Sequence, residues 1–584
     1  MNYKNRNTQY LVERKDLMFG KKDIFASVFA DIMMRVLDIN KVNKLYNNVY
    51  DAGDDVTSAL LNALNVEVNL SKNSQKNIPA SGAAILIANH PTGALDGIMM
   101  INVLSRIRQD IKFMGNFLLN RIEPMSKYFI TVDPFDSKDK TINQKGIRQA
   151  IEHLRNGGML TIFPAGEVAT WQKSVTKIED KKWGNSILKF IQKANVPVIP
   201  AWIEANNSLM FHMAGKINPL LRTAMLPHEL VNKKNKKIHI RIGSPINPQI
   251  VAGLSDLKDY GNYLRANVNC LQKGKREKKP FKASVGKKAK PASNIIEPVP
   301  VDLLCQEIEF IRNDSYILNS DSYELFLVAP NKAPNLLKEI GRLREATFRS
   351  IGEGTLLEVD NDYYDSYYHQ LFIWDSSAHA IVGAYRMGFG NQIMTKYGIQ
   401  GFYTHSLFQM GKEMSPYLIK TIELGRSFIT KEYQRKALPL LLLWKGIFHV
   451  LITHPEYEYL LGATSISGQY SATSKSIIAN YLKKYHCNQK LSDWIKPVNG
   501  MKKIRTTFDL SLIENIESIE LLNKLIWDIE NQKNAIPVLI KKYLQLNSSV
   551  LAFNVDHDFC DSLDALMLLE VKNMPENMVR MINR

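Results

Sequence analysis

At 584 residues the chain is longer than one hydrophobic core usually organises, so two or more domains are expected. An apolar fraction of 45% with all residue types represented excludes a disordered or fibrous chain. The formal charge of +18, from 75 basic against 57 acidic residues, requires an anionic partner: nucleic acid, an anionic membrane surface or an acidic carrier protein.

No zinc-finger spacing or ribonucleoprotein aromatic motif accompanies that charge, which removes nucleic acid and leaves the membrane and the carrier. Cys270, Cys305, Cys487 and Cys560 form no C-x-x-C pair, which suits a reducing cytoplasm and provides no metal site. The N-terminus has no charged segment leading into an apolar core and cleavage site, and no apolar run reaches the ~18 residues of a membrane span. The expected location is cytoplasmic, peripheral on the inner face of the cytoplasmic membrane.

Residues 1–75 read as a helical segment. Phe25, Val28, Phe29, Ile32, Met33 and Val36 recur at helical spacing between Phe19 and Leu37, among Lys21, Lys22 and Arg35, as in a helix packed on a domain or one lying in a membrane interface. Residues 76–250 then alternate strand-like and helix-like runs. Ala83 to Ala88 is a short apolar run of the buried-strand type; it ends in Asn89-His90, and Pro91, Thr92 and Gly93 supply a turn. Asp96 heads a second apolar segment, Ile98 to Leu104, with helical character. A histidine titrating near neutrality can take the proton of a substrate alcohol, and a carboxylate on its other ring nitrogen would hold the tautomer and stabilise the imidazolium. His90 and Asp96 are the candidates if the turn folds one back beneath the other; Asp96 equally sits where a helix N-cap belongs.

Leu104 to Leu119 and Ile142 to Arg155 read as helices, Met159 to Phe163 and Val196 to Ile203 as strands. Gly166, in Phe163-Pro164-Ala165-Gly166-Glu167, either lets backbone amides approach a substrate as an oxyanion site or is a plain turn. A strand at Ile238–Ile242 and a helix at Leu257–Leu271 follow. Residues 251–300 are a helix and linker: Lys273 to Lys290 holds nine basic residues against Glu277 alone, cannot bury a core, and suits a solvated tether or attraction to anionic headgroups.

Residues 301–584 form the second expected domain. It contains a strand at Leu325–Ala329, the segment Ile340 to Phe348, an acidic cluster from Glu358 to Asp365, strands at Leu371–Trp374 and Ile381–Arg386, the segment Ile422 to Ser427, and an apolar helix from Leu438 to Ile452. Glu423 and Arg426 also have the spacing of an intrahelical ion pair. Asp556, His557 and Asp558 stand together without companion ligands, so no metal is expected, and His405 reads as structural.

Two resemblances organise these signals. The first half resembles the glycerolipid acyltransferases typified by lysophosphatidate acyltransferases. Its first block, N-H-x-x-x-x-D, is carried by Asn89, His90 and Asp96, its third by Phe163 to Glu167, and its fourth by Val196 to Ala201. The resemblance implies His90 and Asp96 as catalytic and Asn89, Gly166 and Glu167 as substrate-binding. The second block reads Val132-Asp133-Pro134-Phe135 where the family has Val-Asp-Arg. The third runs into Val168-Ala169-Thr170 where the family has Gly-Thr-Arg. Those arginines serve the acceptor's phosphate in the family, so their absence suits an acceptor without one.

The second half, from about Ser315 to Leu482 and again from Ile536 to Val571, is similar to the acyl-homoserine-lactone-synthase-like branch of the GNAT N-acyltransferases, which includes ornithine-lipid N-acyltransferases. The family set falls on Arg344 with Phe348, on Asp360, Asp362 and Asp365, on Arg386, and on Glu423 with Arg426. An α-amino group must lose a proton before attacking a thioester, a task for Glu423 or the Asp360/Asp362 pair. The arginines offer a planar fork to an amino-acid carboxylate or to donor phosphates. Tyr433 to Pro439 lacks the glycines with which ordinary members cradle coenzyme A. The resemblance therefore implies an acyl donor on acyl carrier protein, or acyl-CoA, and no resident cofactor.

The expected fold class is α/β in two domains, a glycerolipid-acyltransferase-like one and a GNAT-like one with a mixed sheet. Together they resemble the fused bacterial synthase of aminolipids, which N-acylates ornithine or glycine with a 3-hydroxyacyl group and then O-acylates the lyso-lipid. Two rival expectations stand: a lysophospholipid acyltransferase with an accessory carrier-binding domain, and a non-enzymatic membrane-binding protein of the hemolysin-labelled kind.

Overall fold

Ala84-Ile85-Leu86-Ile87-Ala88 is buried at every position, as a strand must be when both faces of its sheet are covered. In the computed structural model, which describes residues 31, 33–116, 123–132, 140–171, 178–272, 293–501 and 509–576, this strand is central to the first of two units. That unit comprises Met1–Lys273 together with Phe508–Ile516; the second comprises Gly274–Thr507 and Glu517–Arg584. The helix Leu257–Asn269 thus groups with the first unit, and the Phe19–Leu37 expectation and the basic stretch lie mostly or wholly outside the described residues.

The first unit is built on a seven-stranded sheet. Its strands are β1 (Glu67–Leu70), β2 (Ala84–Ala88), β3 (Ile111–Asn116), β4 (Phe129–Val132), β5 (Met159–Ile162), β8 (Val198–Glu204) and β9 (Lys237–Ile242), with β6 (Thr170–Trp171) and β7 (Ile178–Glu179) forming a separate hairpin. The order is β1-β9-β8-β2-β5-β3-β4, and only β8 and β9 pair antiparallel. The three family blocks therefore occupy adjacent parallel strands, β8, β2 and β5. The first and third end at the carboxyl edge, where open α/β sheets place their ligands.

Three expectations are corrected. Leu104–Leu119 is no helix: the helix runs Ala94–Leu104, and Ile111–Asn116 is the strand β3, with Ile111 and Phe113 in the core. Residues 1–75 are not helical throughout, since Glu67–Leu70 pairs with β9. Asp96 is not the N-cap but the third residue of its helix; Gly93, at φ +88°, is the cap, a backbone conformation glycine adopts without penalty.

The second unit is an eight-stranded sheet in the order β10-β11-β12-β13-β15-β16-β19-β18, with a small separate pair, β14 (Phe408–Met410) and β17 (Ile495–Pro497). The strands are β10 (Tyr316–Ser320), β11 (Tyr323–Val328), β12 (His369–Asp375), β13 (Ala380–Phe389), β15 (Thr421–Ile429), β16 (Tyr459–Ile466), β18 (Ser549–Asp556) and β19 (Ser562–Glu570). Every neighbour is antiparallel except β15 and β16, joined through the apolar helix Ala437–Thr453, as a parallel connection requires. That pair is in register only from Thr421↔Tyr459 to Glu423↔Leu461, although both strands run on for five or six residues more. Beyond Glu423 the sheet opens between them.

Candidate active sites

In the first unit the turn after β2 does what the spacing allowed. Nδ1 of His90 lies 2.9 Å from Oδ2 of Asp96, which is fully buried. The two atoms are in close contact without forming a hydrogen bond, an alignment that a slight turn of the ring would complete. Asp96 is fixed independently: its carboxylate accepts the amides of Thr92 at 2.8 Å and Gly93 at 3.0 Å, and the Thr92 hydroxyl. The carboxylate thus builds the turn and addresses the ring at once. The His90 ring stacks on Phe163 of the third block at 4.4 Å. Its backbone is pinned on both sides, the amide donating to Asp180 at 3.2 Å and the carbonyl accepting from Ala169 at 2.8 Å. Withdrawal from water raises the Asp180 carboxyl to about 6 against the pull of that amide.

Asn89 stands differently from the expectation of substrate contact. Its side chain donates to the carbonyl of Ile203 at 3.0 Å and accepts the Ile203 amide at 2.7 Å, clamping β8 to the end of β2. Gly166 is the plain turn: its amide donates to the Phe163 carbonyl at 3.0 Å, so it has no proton left for an oxyanion, and φ +69° explains the residue type. Glu167 pairs with Arg222 at 2.7 Å and Lys181 at 3.0 Å. Burial pulls its carboxyl upward, and the two cations outweigh it, leaving it below the usual range. Arg222, from the helix Pro219–Ala224, thus stands beside the third block.

In the second unit the family residues converge. Arg344, on the helix Pro334–Ser350, pairs with both oxygens of Asp365 at 3.2 and 3.0 Å and lies 3.2 Å from Asp360. Arg386 donates to Asp362 at 2.6 Å, and Arg426 reaches Asp360 at 3.2 Å and the Tyr403 hydroxyl at 2.9 Å. Three guanidinium groups face three aspartates, nearly all out of water, and the arginines hold the Asp365 carboxyl far below the usual range despite burial. Arg386 is only 1% exposed, yet its Nε and Nη2 have no hydrogen-bond partner among the described residues. Phe348 packs edge-on against Phe559, whose ring lies 4.6 Å from the Arg426 guanidinium.

Arg426 has φ +50° and sits in an irregularity of the β13–β15 pairing, not on a helix, so the intrahelical pair with Glu423 is corrected. A bulge of this kind re-aims one side chain, and here Arg426 meets Asp360, the Tyr403 hydroxyl and the Phe559 ring. Glu423 is buried, with its oxygens taken by the amides of Thr404 at 2.7 Å and Tyr403 at 3.0 Å and by the Tyr368 hydroxyl. Burial raises its carboxyl, yet those donors commit it to holding the Tyr403 turn.

Sequence reasoning missed Asp564. It faces Ser465 on one neighbouring strand and Asn554 on the other, 5% exposed, with its field felt at Arg426 and Tyr403. Burial, then the neighbouring Asp556, push it up to about 7. Nδ2 of Asn554 has no partner among the described residues, and Glu353 accepts the Ser465 hydroxyl at 2.8 Å. No local motif marks Asp564; only strand pairing brings it there. His557 is exposed and pairs with Asp561 at 2.6 Å, and no group of three His, Cys, Asp or Glu among the described residues could hold a metal ion.

Comparison with known proteins agrees with this division. Residues 30–276 match an acyltransferase family model and residues 343–444 an acetyltransferase (GNAT) domain model. A glycine N(alpha)-acyltransferase of Bacteroides thetaiotaomicron is 30% identical over 48% of this chain and 87% of its own length. A lyso-glycine lipid O-acyltransferase of the same organism is 25% identical over 37% of this chain and 79% of its own. The crystal structure of the 1-acyl-sn-glycerophosphate acyltransferase PlsC from Thermotoga maritima aligns at 18% identity and a TM-score of 0.23, over 44% of this chain and 83% of that one.

Proposed function

The chain belongs to the acyltransferases that build acylated amino-acid lipids, an N-acylating and an O-acylating unit in one polypeptide, and from that premise we propose a two-step synthesis. In the second unit the amine of glycine, the acceptor named for the relatives, attacks the thioester of a 3-hydroxyacyl group. The C–N bond forms, the C–S bond breaks, and the carrier leaves as a thiolate, which then takes a proton from the protonated base. The amine's proton passes to Asp564, whose affinity near neutrality suits a general base. Arg386, with two buried N–H groups unpaired, grips the acceptor carboxylate; Arg426 stands beside it, and Glu423 positions Tyr403 and through it Arg426. Arg344, Phe348, Asp360, Asp362 and Asp365 hold these two arginines in place. Gly425 to Ile429 has no ladder partner on β16, an edge along which an extended thioester arm can lie.

In the first unit the 3-hydroxyl of the resulting lyso-lipid attacks a second acyl thioester while Nε2 of His90 takes its proton, with Asp96 steadying the imidazolium; the C–O bond forms, the C–S bond breaks, and the imidazolium returns the proton to the departing thiolate. Arg222 and Lys181, gathered by Glu167, receive the lyso-lipid's carboxylate where relatives with a phosphorylated acceptor use a block arginine. The donor is acyl carrier protein, whose acidity matches the charge of +18, and the protein works at the cytoplasmic face of the membrane. No helix among the described residues is long and apolar enough to cross a membrane.

The observation that carries this reading is the buried Asp96 carboxylate 2.9 Å from Nδ1 of His90, at the carboxyl edge of the sheet. Lipid mass spectrometry of cells expressing His90→Ala should show the mono-acylated hydroxy lipid accumulating, and Arg386→Gln should remove both products. Doubly acylated lipid made at the wild-type level by His90→Ala would sink the assignment and favour the non-enzymatic membrane-binding reading.

A further inference from the structure

The helix Leu209–Ile217 turns its apolar side the wrong way for a soluble protein. Capped by Ser208, which accepts the Phe211 amide at 3.2 Å, it buries Phe211 and His212. Leu209, Met210, Met213 and Ile217 point outward, with 61, 58, 55 and 80% of their surface in water, and Leu221 on the next helix continues the patch. Isolated apolar residues on a surface are ordinary; a row at i, i+1, i+4 and i+8 on one helix face is an interaction surface.

The occupant follows from what adjoins it and from its charge. Leu226, just beyond Leu221, lies against the position where a Cβ on Gly93 would sit, at 3.1 Å, and Arg222 holds Glu167, so these helices wall the His90 centre. Between Leu209 and His228 there is no acidic residue; Lys216 lies 3.9 Å from the Trp171 ring centre, and Arg222 is engaged by Glu167. An apolar face on a segment without acidic residues, in a chain of formal charge +18, is what an interfacial helix presents to anionic headgroups.

We infer that Leu209, Met210, Met213, Ile217 and Leu221 dock the first unit onto an anionic phospholipid bilayer, so that a lyso-lipid passes from the membrane to His90 without entering water. The inference rests on the acyl-transfer reading only for what is delivered. The docking itself is tested separately.

The full chain is sedimented with phosphatidylglycerol vesicles, and with phosphatidylcholine vesicles as the uncharged comparison. Leu209→Ser, Met213→Ser and Ile217→Ser combined should lower binding to the anionic vesicles by about tenfold or more, each side chain losing interfacial burial. O-acylation of vesicle-borne lyso-lipid should fall with it, while a short-chain, water-soluble hydroxy acceptor is acylated at the wild-type rate, which certifies the fold. Should the triple variant not fold, Ile217→Ser alone is read the same way. Equal sedimentation of wild type and variant overturns the inference, as does unchanged vesicle binding with an altered molar mass by light scattering, which would assign the face to a second copy. Failure of the acyl-transfer reading shows elsewhere, as O-acylation surviving His90→Ala, and leaves the vesicle result standing.

Discussion

Asp96→Asn separates the two tasks this carboxylate performs. In the wild type its oxygens accept two backbone amides and the Thr92 hydroxyl while facing His90 Nδ1. One oxygen, Oδ2, faces both amides and the histidine, so an asparagine either keeps its carbonyl there and turns its NH2 to the Thr92 hydroxyl, or sets the NH2 against both amides and the ring at once. In the second orientation a buried donor faces two amide donors, at a cost of about 1–3 kcal/mol, and the first unit should melt lower. An NH2 facing His90 stabilises the wrong tautomer, and a loss of about 10⁴ in turnover, or about 5.5 kcal/mol of barrier, is the precedent for that change in a histidine–aspartate pair; a carbonyl facing the ring keeps the tautomer and forfeits the charge that steadies the imidazolium. The assay is O-acylation of purified lyso-aminolipid, with N-acylation by the same sample as internal control. A rate within tenfold of wild type, with N-acylation intact, would refute the claim that Asp96 acts through the imidazole. Parallel loss of both activities would mean the variant merely unfolds.

Other expectations follow from the same geometry. Asn89→Ala takes the side-chain acceptor from the Ile203 amide, while the Ile203 carbonyl still accepts from the Ala205 amide at 3.1 Å, a cost of about 1–3 kcal/mol that denaturant titration of the first unit should register. N-acylation should rise with pH through about 7 as Asp564 loses its proton, and Asp564→Asn should abolish that limb of the profile, whereas Glu423→Gln should lower the rate without moving it. Because the folded state raises the Asp564 carboxyl above its unfolded value, its contribution to stability is full below pH ~4 and lost as pH rises through about 7. Asp564→Asn should therefore raise the melting temperature at pH 8 and not at pH 4. Arg386→Lys, which keeps the charge and loses the fork, should raise KM for the amino acid tenfold or more while kcat changes little, about 1.4 kcal/mol of binding; an unchanged KM would place the carboxylate elsewhere.

Local signals were readable where chemistry and backbone are set by adjacent residues. The Asn89-His90 strand end, the Pro91–Gly93 turn and the six-residue reach to Asp96 form one continuous piece of chain, so their contact was visible in the spacing. The Arg344 and Asp360–Asp365 cluster was legible as an ordered set, although its burial was not. What stayed hidden depends on distant partners. Ile111–Asn116 looks helical in isolation and becomes a strand only because β5 and β4 flank it. Glu423-x-x-Arg426 fits a helix face as well as a strand with a bulge, and the mismatch with β13 decides it. Arg222 lies 55 residues from Glu167, and Asp564 owes its environment to Ser465 and Asn554 on separate strands.

The membership of Phe508–Ile516 in the first unit bears on how such a chain can be taken apart. Leu512, Ile513 and Ile516 are buried there, and Asn515 donates to Asp259 of the helix Leu257–Asn269 at 3.1 Å. Expressing only what precedes the basic stretch would strip those three side chains from that helix and leave a greasy scar. Two genes made by a single cut would not restore the free-standing relatives, because the earlier product would lack a plug that only the later one encodes.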